Sequence, residues 1–197
     1  MIVLKLSRKN FEEILKITIQ SIKEGKVIIC PTDTVYGLIC DATNKKAVGK
    51  LFKIKKRPKE KPIPIFVKDI RTAKNLAYIN KSQEKFLKKV WPGEMTTVFK
   101  RKNELPKILF GKAKTIGFRI PKYKLVNELL KELDYPLAET SANISGGPAP
   151  TEIKEVLEQF KSQKYQPDLV IDAGNLLKSK PSIVLDLTIW PPKILRL

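Results

Sequence analysis

The amino-acid sequence predicts a mixed α/β fold in one domain spanning residues 1–197, and three observations carry that reading. Apolar residues at helical spacing and short β-branched runs interleave along the whole chain. Several strand-like runs follow one another with no helix between them, which argues against a regular β-α-β ladder. No internal repeat, linker-like segment or apolar run of about 18 residues interrupts the pattern.

Residues 2–6 (IVLKL) read as a first strand. Ser7 can cap a helix over 8–24, in which Phe11, Ile14, Leu15, Thr18, Ile19 and Ile22 share a face and Gly25 provides the stop. KVIIC (26–30) reads as a buried strand, and PTDTVYGL (31–38) as a loop by its Pro, Thr and Asp content. Asn44 can start a helix reaching Lys56, with Ala47, Val48, Leu51, Phe52 and Ile54 on its apolar side. Pro58 and Pro62 end it. PIPIFV (62–67) is a strand whose prolines point to a sheet edge or a strand start. Helices are predicted over 69–77 and 81–90, the second broken by WPG (91–93). MTTVFK (95–100) is a strand, 101–114 a polar basic connection, and TIGFRI (115–120) a strand. A helix over 123–133 leads to strand 136–140 and the loop SANISGGPAP (141–150). Helix 151–160 and strands 168–172, 182–187 and 193–196 complete the chain.

Composition narrows the function classes. The hydrophobic share of 42% and charged share of 30% are those of a chain that builds a core. The start, MIVLKLSRKN, lacks a basic head, a long apolar run and a small-residue cleavage site, so a cytoplasmic location without membrane association is expected. Cys30 and Cys40 make no disulfide framework and match no zinc spacing; two buried free thiols are expected. There is no histidine, which excludes a Ser-His-Asp triad and leaves carboxylates, lysines, substrate groups or water as bases. The net charge of +19 favours anionic partners: nucleic acid, nucleotide phosphates or anionic lipid. Lysine enrichment of genomic or thermal origin accounts for the surface lysines equally well.

Neither common glycine-rich phosphate loop is present. Four other segments offer chemistry. In KIKKRPKEKP (53–62), Lys55 and Arg57 lie where the helix breaks; they can converge on a phosphate or simply coat a solvated face. SANISGGPAP offers the Ser141 hydroxyl and the Asn143 amide. Its Gly146 and Gly147 permit backbone N–H groups to point at an anion, though a plain turn would look the same. In PTDTVYGL, Thr32, Asp33, Thr34 and Tyr36 can line a polar pocket, or form a capped turn with Tyr36 in the core. In TIGFRIP (115–121), Arg119 stands among apolar neighbours and needs an anion or a carboxylate; Glu139 is a structural candidate.

In order along the chain, PTDTVYGL, KKRP, WPGEMT, GFRIP, TSANISG and PSIVLD resemble the YrdC-like family of threonylcarbamoyl-AMP synthases, from about residue 20 to the end. The family's KxR and SxN signatures stand as Lys55-Lys56-Arg57 and Ser141-Ala142-Asn143. The resemblance implies a single-domain twisted open mixed sheet flanked by helices, with a concave basic cleft. It implies a nucleotidyltransferase reaction in which L-threonine, bicarbonate and ATP give threonylcarbamoyl-AMP and pyrophosphate. A downstream threonylcarbamoyl transferase would then modify tRNA. Carried over, Lys55, Arg57, Ser141 and Asn143 are catalytic and hold ATP together with Lys61, Thr115, Ala149 and Arg196. Thr34, Phe66, Arg119 and Ser182 hold threonine, Arg119 through its carboxylate. Mg²⁺ is expected with the ATP, with no protein ligand named.

Departures from the pattern are Phe66, where many relatives have histidine; Glu94, where WPGxxT has a small residue or proline; and Ala149, where some have serine. A further C-terminal domain found in longer relatives is expected to be absent. The chief alternative is a non-catalytic module of this fold binding double-stranded RNA or tRNA. A carbamoyl-transfer subdomain of a hydrogenase-maturation enzyme is a third reading, against which stands the lack of acylphosphatase or zinc-finger segments.

Overall fold

The computed structural model describes residues 1–177 and 179–197. Its strands and helices run β1 (Ile2–Lys5), α1 (Phe11–Lys23), β2 (Ile28–Cys30), β3 (Gly37–Asp41), α2 (Lys45–Lys55), β4 (Ile65–Phe66), α3 (Ile70–Leu76), α4 (Lys81–Val90) and β5 (Met95–Lys100). They continue as β6 (Thr115–Arg119), α5 (Lys124–Leu133), β7 (Leu137–Ser141), α6 (Ile153–Lys161), β8 (Leu169–Asp172), β9 (Ile183–Asp186) and β10 (Lys193–Arg196). The ten strands form one sheet in the order β1-β8-β2-β3-β7-β4-β6-β5-β9-β10. Parallel pairs (β1/β8, β2/β8, β4/β6, β5/β9) mix with antiparallel ones (β2/β3, β3/β7, β4/β7, β5/β6, β9/β10).

Side-chain alternation along the strands builds a core on each face. Ile28, Cys30, Ile39, Phe66 and Leu137 pack against Ile14, Leu15 and Ile22 of α1 and Leu125, Val126, Leu129 and Leu133 of α5. Ile29, Leu38, Cys40, Ile65, Ala138 and Phe118 belong to the opposite cluster, with residues of α2, α3, α4 and α6. Both cysteines are free and fully buried, and burial raises their thiols well above the usual range.

The local grammar explains most boundaries. Asn44 caps α2, accepting from the Lys46 and Ala47 amides at 3.0 and 3.1 Å. Two bonds close its other end, Arg57 N–H to Phe52 O and Lys56 N–H to Lys53 O, with Lys56 at φ 51. This Schellman-type turn puts a non-glycine residue in the left-handed region and swings Arg57 off the helix axis.

Three expectations are corrected. The first helix starts at Phe11 behind Asn10, while Ser7 instead donates from its N–H and hydroxyl to Asn10 Oδ1. Gly37–Asp41 is a strand buried at its first four positions, so it shows no alternation to mark it. β4 lies inside the sheet, between β7 and β6. Its prolines mark only a strand start, since Pro64 precedes Ile65 and serves through its carbonyl, which accepts from the Glu139 amide at 3.0 Å.

Candidate active site

One cleft of about 730 Å³, open mouth included, gathers residues that stand far apart in sequence. Register accounts for its floor. Arg119 pairs with Phe66, Phe66 with Leu137, and Ser141 with Gly37. Arg119, Phe66, Leu137, Glu139 and Ser141 therefore project from one face, which is apolar at Leu137 and Phe66 and polar at Glu139 and Ser141. Lys55, Arg57, Lys61, Arg119 and Arg196 line the cleft with a single carboxylate, Glu139.

Lys55 reaches this point from the last turn of α2 and is only 2% exposed. Its ammonium donates to Ser141 O at 2.6 Å, Asn143 Oδ1 at 2.7 Å and Asn143 O at 3.1 Å, with Ser141 Oγ at 3.3 Å. Three carbonyl-type acceptors match the three donors of an ammonium. The KxR lysine and the SxN loop are thus one unit: Ser141 Oγ donates to Asn143 Oδ1 at 2.7 Å, and Asn143 Nδ2 donates to Ile144 O and Gly147 O. Ser145 N–H closes back onto Lys55 O at 2.8 Å. Burial, and then the Arg57 and Arg196 charges, push Lys55 down to about 7, with Glu139 acting the other way.

Arg119, also 2% exposed, is held by three acceptors: Asp33 at 2.6 Å, Thr34 Oγ1 at 3.1 Å and Gly93 O at 2.8 Å. Its carboxylate partner is therefore Asp33 and not Glu139. The loop that carries Asp33 is itself braced, since Thr32 Oγ1 donates to Val35 O and Asp33 Oδ2 accepts from Lys122 N–H. Three contacts leave two of the five guanidinium donors for the cleft. Tyr36 is fully buried and bonded to Gly174 O, so it belongs to the core and not to the pocket.

The mouth is built differently. Arg57 spends Nε and one Nη2 donor on the Lys61 and Pro62 carbonyls, at 3.1 and 2.7 Å, which leaves three donors free. Burial lowers its pKa. Lys61 lines the cleft from an exposed position. Arg196 docks by Nε and Nη2 onto Ser182 O, at 3.0 and 2.7 Å, and Ser182 Oγ lies 2.9 Å from Thr96 Oγ1. The β10 arginine and the segment 181–182 thereby come to the same rim.

Of the expected residues, Thr34, Lys55, Arg57, Lys61, Arg119, Ser141, Asn143, Ser182 and Arg196 meet in this cleft. Thr115 and Ala149 are not among its lining residues. Phe66 lies beneath it: its ring is fully buried, 5.8 Å from the Arg119 guanidinium carbon. Glu94 is exposed and outside the lining, so its charge does not enter the site. Of the two loop glycines, Gly147 gives its N–H to Ile144 O and cannot offer it to an anion; Gly146, at φ 92 with open space around it, lines the cleft. Sequence reasoning named Glu139 only as a structural partner for Arg119 and not as a cleft residue, and it missed Ser145. Ser145 Oγ is buried without a hydrogen-bond partner among the described residues, and its place in the NISGG run is the signal that points to it. Among the described residues no three His, Cys, Asp or Glu side chains converge in metal-binding fashion, and no helix is long and apolar enough to cross a membrane.

Comparison with known proteins sets this cleft in context. The Sua5/YciO/YrdC family model, described as telomere recombination, matches residues 20–197. A threonylcarbamoyl-AMP synthase of Pyrococcus abyssi is 34% identical over 99% of this chain and 57% of its own length. The chain thus spans little more than half of that relative. A putative threonylcarbamoyl-AMP synthase of Methanocaldococcus jannaschii is 38% identical over 93% of the chain and 84% of its own length. The crystal structure of P. abyssi Sua5 complexed with L-threonine superposes with a TM-score of 0.88 at 33% identity, covering 99% of this chain and 56% of that one. Escherichia coli YciO superposes with a TM-score of 0.85 at 26% identity, covering 99% and 93%.

Proposed function

The chain belongs to the Sua5/YciO/YrdC family, and on that footing we propose that it is an L-threonylcarbamoyladenylate synthase, a nucleotidyltransferase making threonylcarbamoyl-AMP and pyrophosphate from L-threonine, bicarbonate and ATP. The observation that carries the reading is the convergence of five cations and the SxN loop in one cleft. A relative of the same fold, P. abyssi Sua5, has been crystallised with L-threonine, which supports an amino-acid substrate here.

The chemistry suits the residues. The threonyl amine takes up bicarbonate carbon as a carbamate, and a carbamate oxygen attacks the α-phosphorus as pyrophosphate leaves. That oxygen is already anionic, so the attack needs no strong protein base, consistent with a chain without histidine. What it needs is positive charge placed where negative charge concentrates. The free donors of Arg57, with Lys61 and Arg196 at the mouth, suit the triphosphate. Lys55 acts through its charge and through the loop it holds, since its donors are already taken. The two spare donors of Arg119, beside Thr34, suit the threonine carboxylate. Mg²⁺ enters as part of the MgATP substrate, held by phosphate oxygens.

The product would pass to a downstream transferase acting on tRNA in the cytoplasm. Direct binding of tRNA or double-stranded RNA is a separate proposal resting on the +19 charge alone. The test of the enzymatic reading is pyrophosphate release from ATP by the purified protein. It should require both threonine and bicarbonate; release indifferent to threonine removes the assignment.

A further inference from the structure

An amino acid enters a site as a zwitterion, and a cleft of cations alone would repel its ammonium group. Glu139 is the one carboxylate among the lining residues. Its backbone N–H donates to Pro64 O at 3.0 Å, which fixes its place on β7. Among the described residues its carboxyl group makes no hydrogen bond and no ion pair, because Arg119 is engaged with Asp33 and Lys55 with the SxN loop. The carboxyl lies close over β3: a Cβ added at Gly37 would come within 3.1 Å of Glu139 Oε1. Glycine at 37 therefore leaves the acid its room.

We propose that Glu139 binds the α-ammonium group of the amino-acid substrate and accepts its proton, making the amine nucleophilic toward bicarbonate. The inference rests on the synthase reading above. With Arg119 on the carboxylate, the two ends of the zwitterion meet opposite charges on one face of the sheet, on β6 and β7 with β4 between them. One N–H bond of the ammonium breaks and its proton moves to Glu139. The nitrogen lone pair then forms the N–C bond to bicarbonate, and the C–OH bond breaks. The hydroxide leaves as water with a second amine proton, and the carbamate remains. Glu139 returns its proton to solvent at the end of the cycle. The surroundings favour that exchange. Burial raises the Glu139 pKa; Arg119 on β6, Lys55 on α2 and Arg196 on β10 lower it, and Asp33 raises it.

Calorimetry with L-threonine and with its deaminated analogue, in which a hydroxyl replaces the amine, tests the assignment. The unaltered protein should prefer threonine by about tenfold or more, the worth of a charge-assisted bond. In Glu139→Gln that preference should fall to about twofold. A Glu139→Gln protein that keeps the full ratio overturns the proposal. Should that variant fail to fold, Gly37→Ala presses on the carboxyl without removing it. A reduced ratio is expected there, and an unchanged one overturns the proposal equally. The pH profile separates base from anchor: the acid limb of kcat/KM for threonine should disappear in Glu139→Gln. Absence of threonine-dependent pyrophosphate release from the unaltered protein would strike the synthase reading itself. Normal release with an unchanged binding ratio strikes only Glu139.

Discussion

Lys55 and Arg57 stand two positions apart in one motif, yet they belong to different regions of the cleft. Lys55 is on the floor, 2% exposed, and every donor of its ammonium is committed to the protein. Arg57 is at the mouth, half-buried, with two backbone carbonyls holding its stem end and three donors free. Arg119 is as buried as Lys55 but spends three donors on the protein and keeps two for the cleft, while Lys61 lines the mouth from an exposed position. The floor cations are tied into the protein, Lys55 wholly and Arg119 in part; the mouth cations keep donors for a ligand. A charged residue's place in a motif thus does not fix its role. What its donors are already doing decides it.

Lys55→Ala should have the largest effect and a double signature. It strips three buried oxygens of their donor and frees the SxN loop, so stability should fall by about 3 kcal/mol and kcat/KM by about a hundredfold or more. A thermal melt beside a kinetic assay checks both; lost activity with an unchanged melt would place Lys55 in the mouth class. Arg57→Ala should cost about tenfold to a hundredfold in kcat/KM with ATP, for a lost charge-assisted contact, and leave the melt nearly unchanged. Lys59, exposed and outside the cleft, serves as the control. Equal losses at Arg57 and Lys59 would reduce the mouth to a diffuse basic surface.

The smallest effect is in protons. Lys55 sits at about 7 in the folded chain, against an ordinary value of 10.5. Between those values the folded state binds fewer protons than the unfolded one, so this group makes stability rise with pH from about 7 to 10.5. A triphosphate entering the cleft should raise the Lys55 pKa. Nucleotide binding near pH 7 should then take up as much as about half a proton. Titrations in buffers of different ionisation enthalpy measure it. Heats independent of buffer would mean that Lys55 is already fully charged, as its three acceptors favour.

The same contrast divides what was legible in the sequence. Elements bounded by local chemistry came out well: Met95–Lys100 and Lys193–Arg196 match their strands residue for residue, and Asn44 marks the start of α2. Gly37–Asp41 escaped because a strand buried on both faces has no period of two. The mouth arginines and the SxN loop were readable through the motif resemblance. The floor was not. Arg119 meets Asp33, and Glu139 is left unpaired among the described residues, because the order β3-β7-β4-β6 brings the 31–36 loop to the end of β6. Pairings across 86 residues depend on strand order, which hydrophobic spacing does not encode.

The product of the reaction is the most direct evidence of what this cleft does. The protein should be incubated with ATP, L-threonine and ¹³C-labelled bicarbonate, and the nucleotides resolved by mass spectrometry. A threonylcarbamoyl adduct of AMP carrying the heavy carbon is the predicted result, absent when threonine is withheld. Turnover of ATP to AMP or ADP with no labelled adduct under those conditions would contradict it.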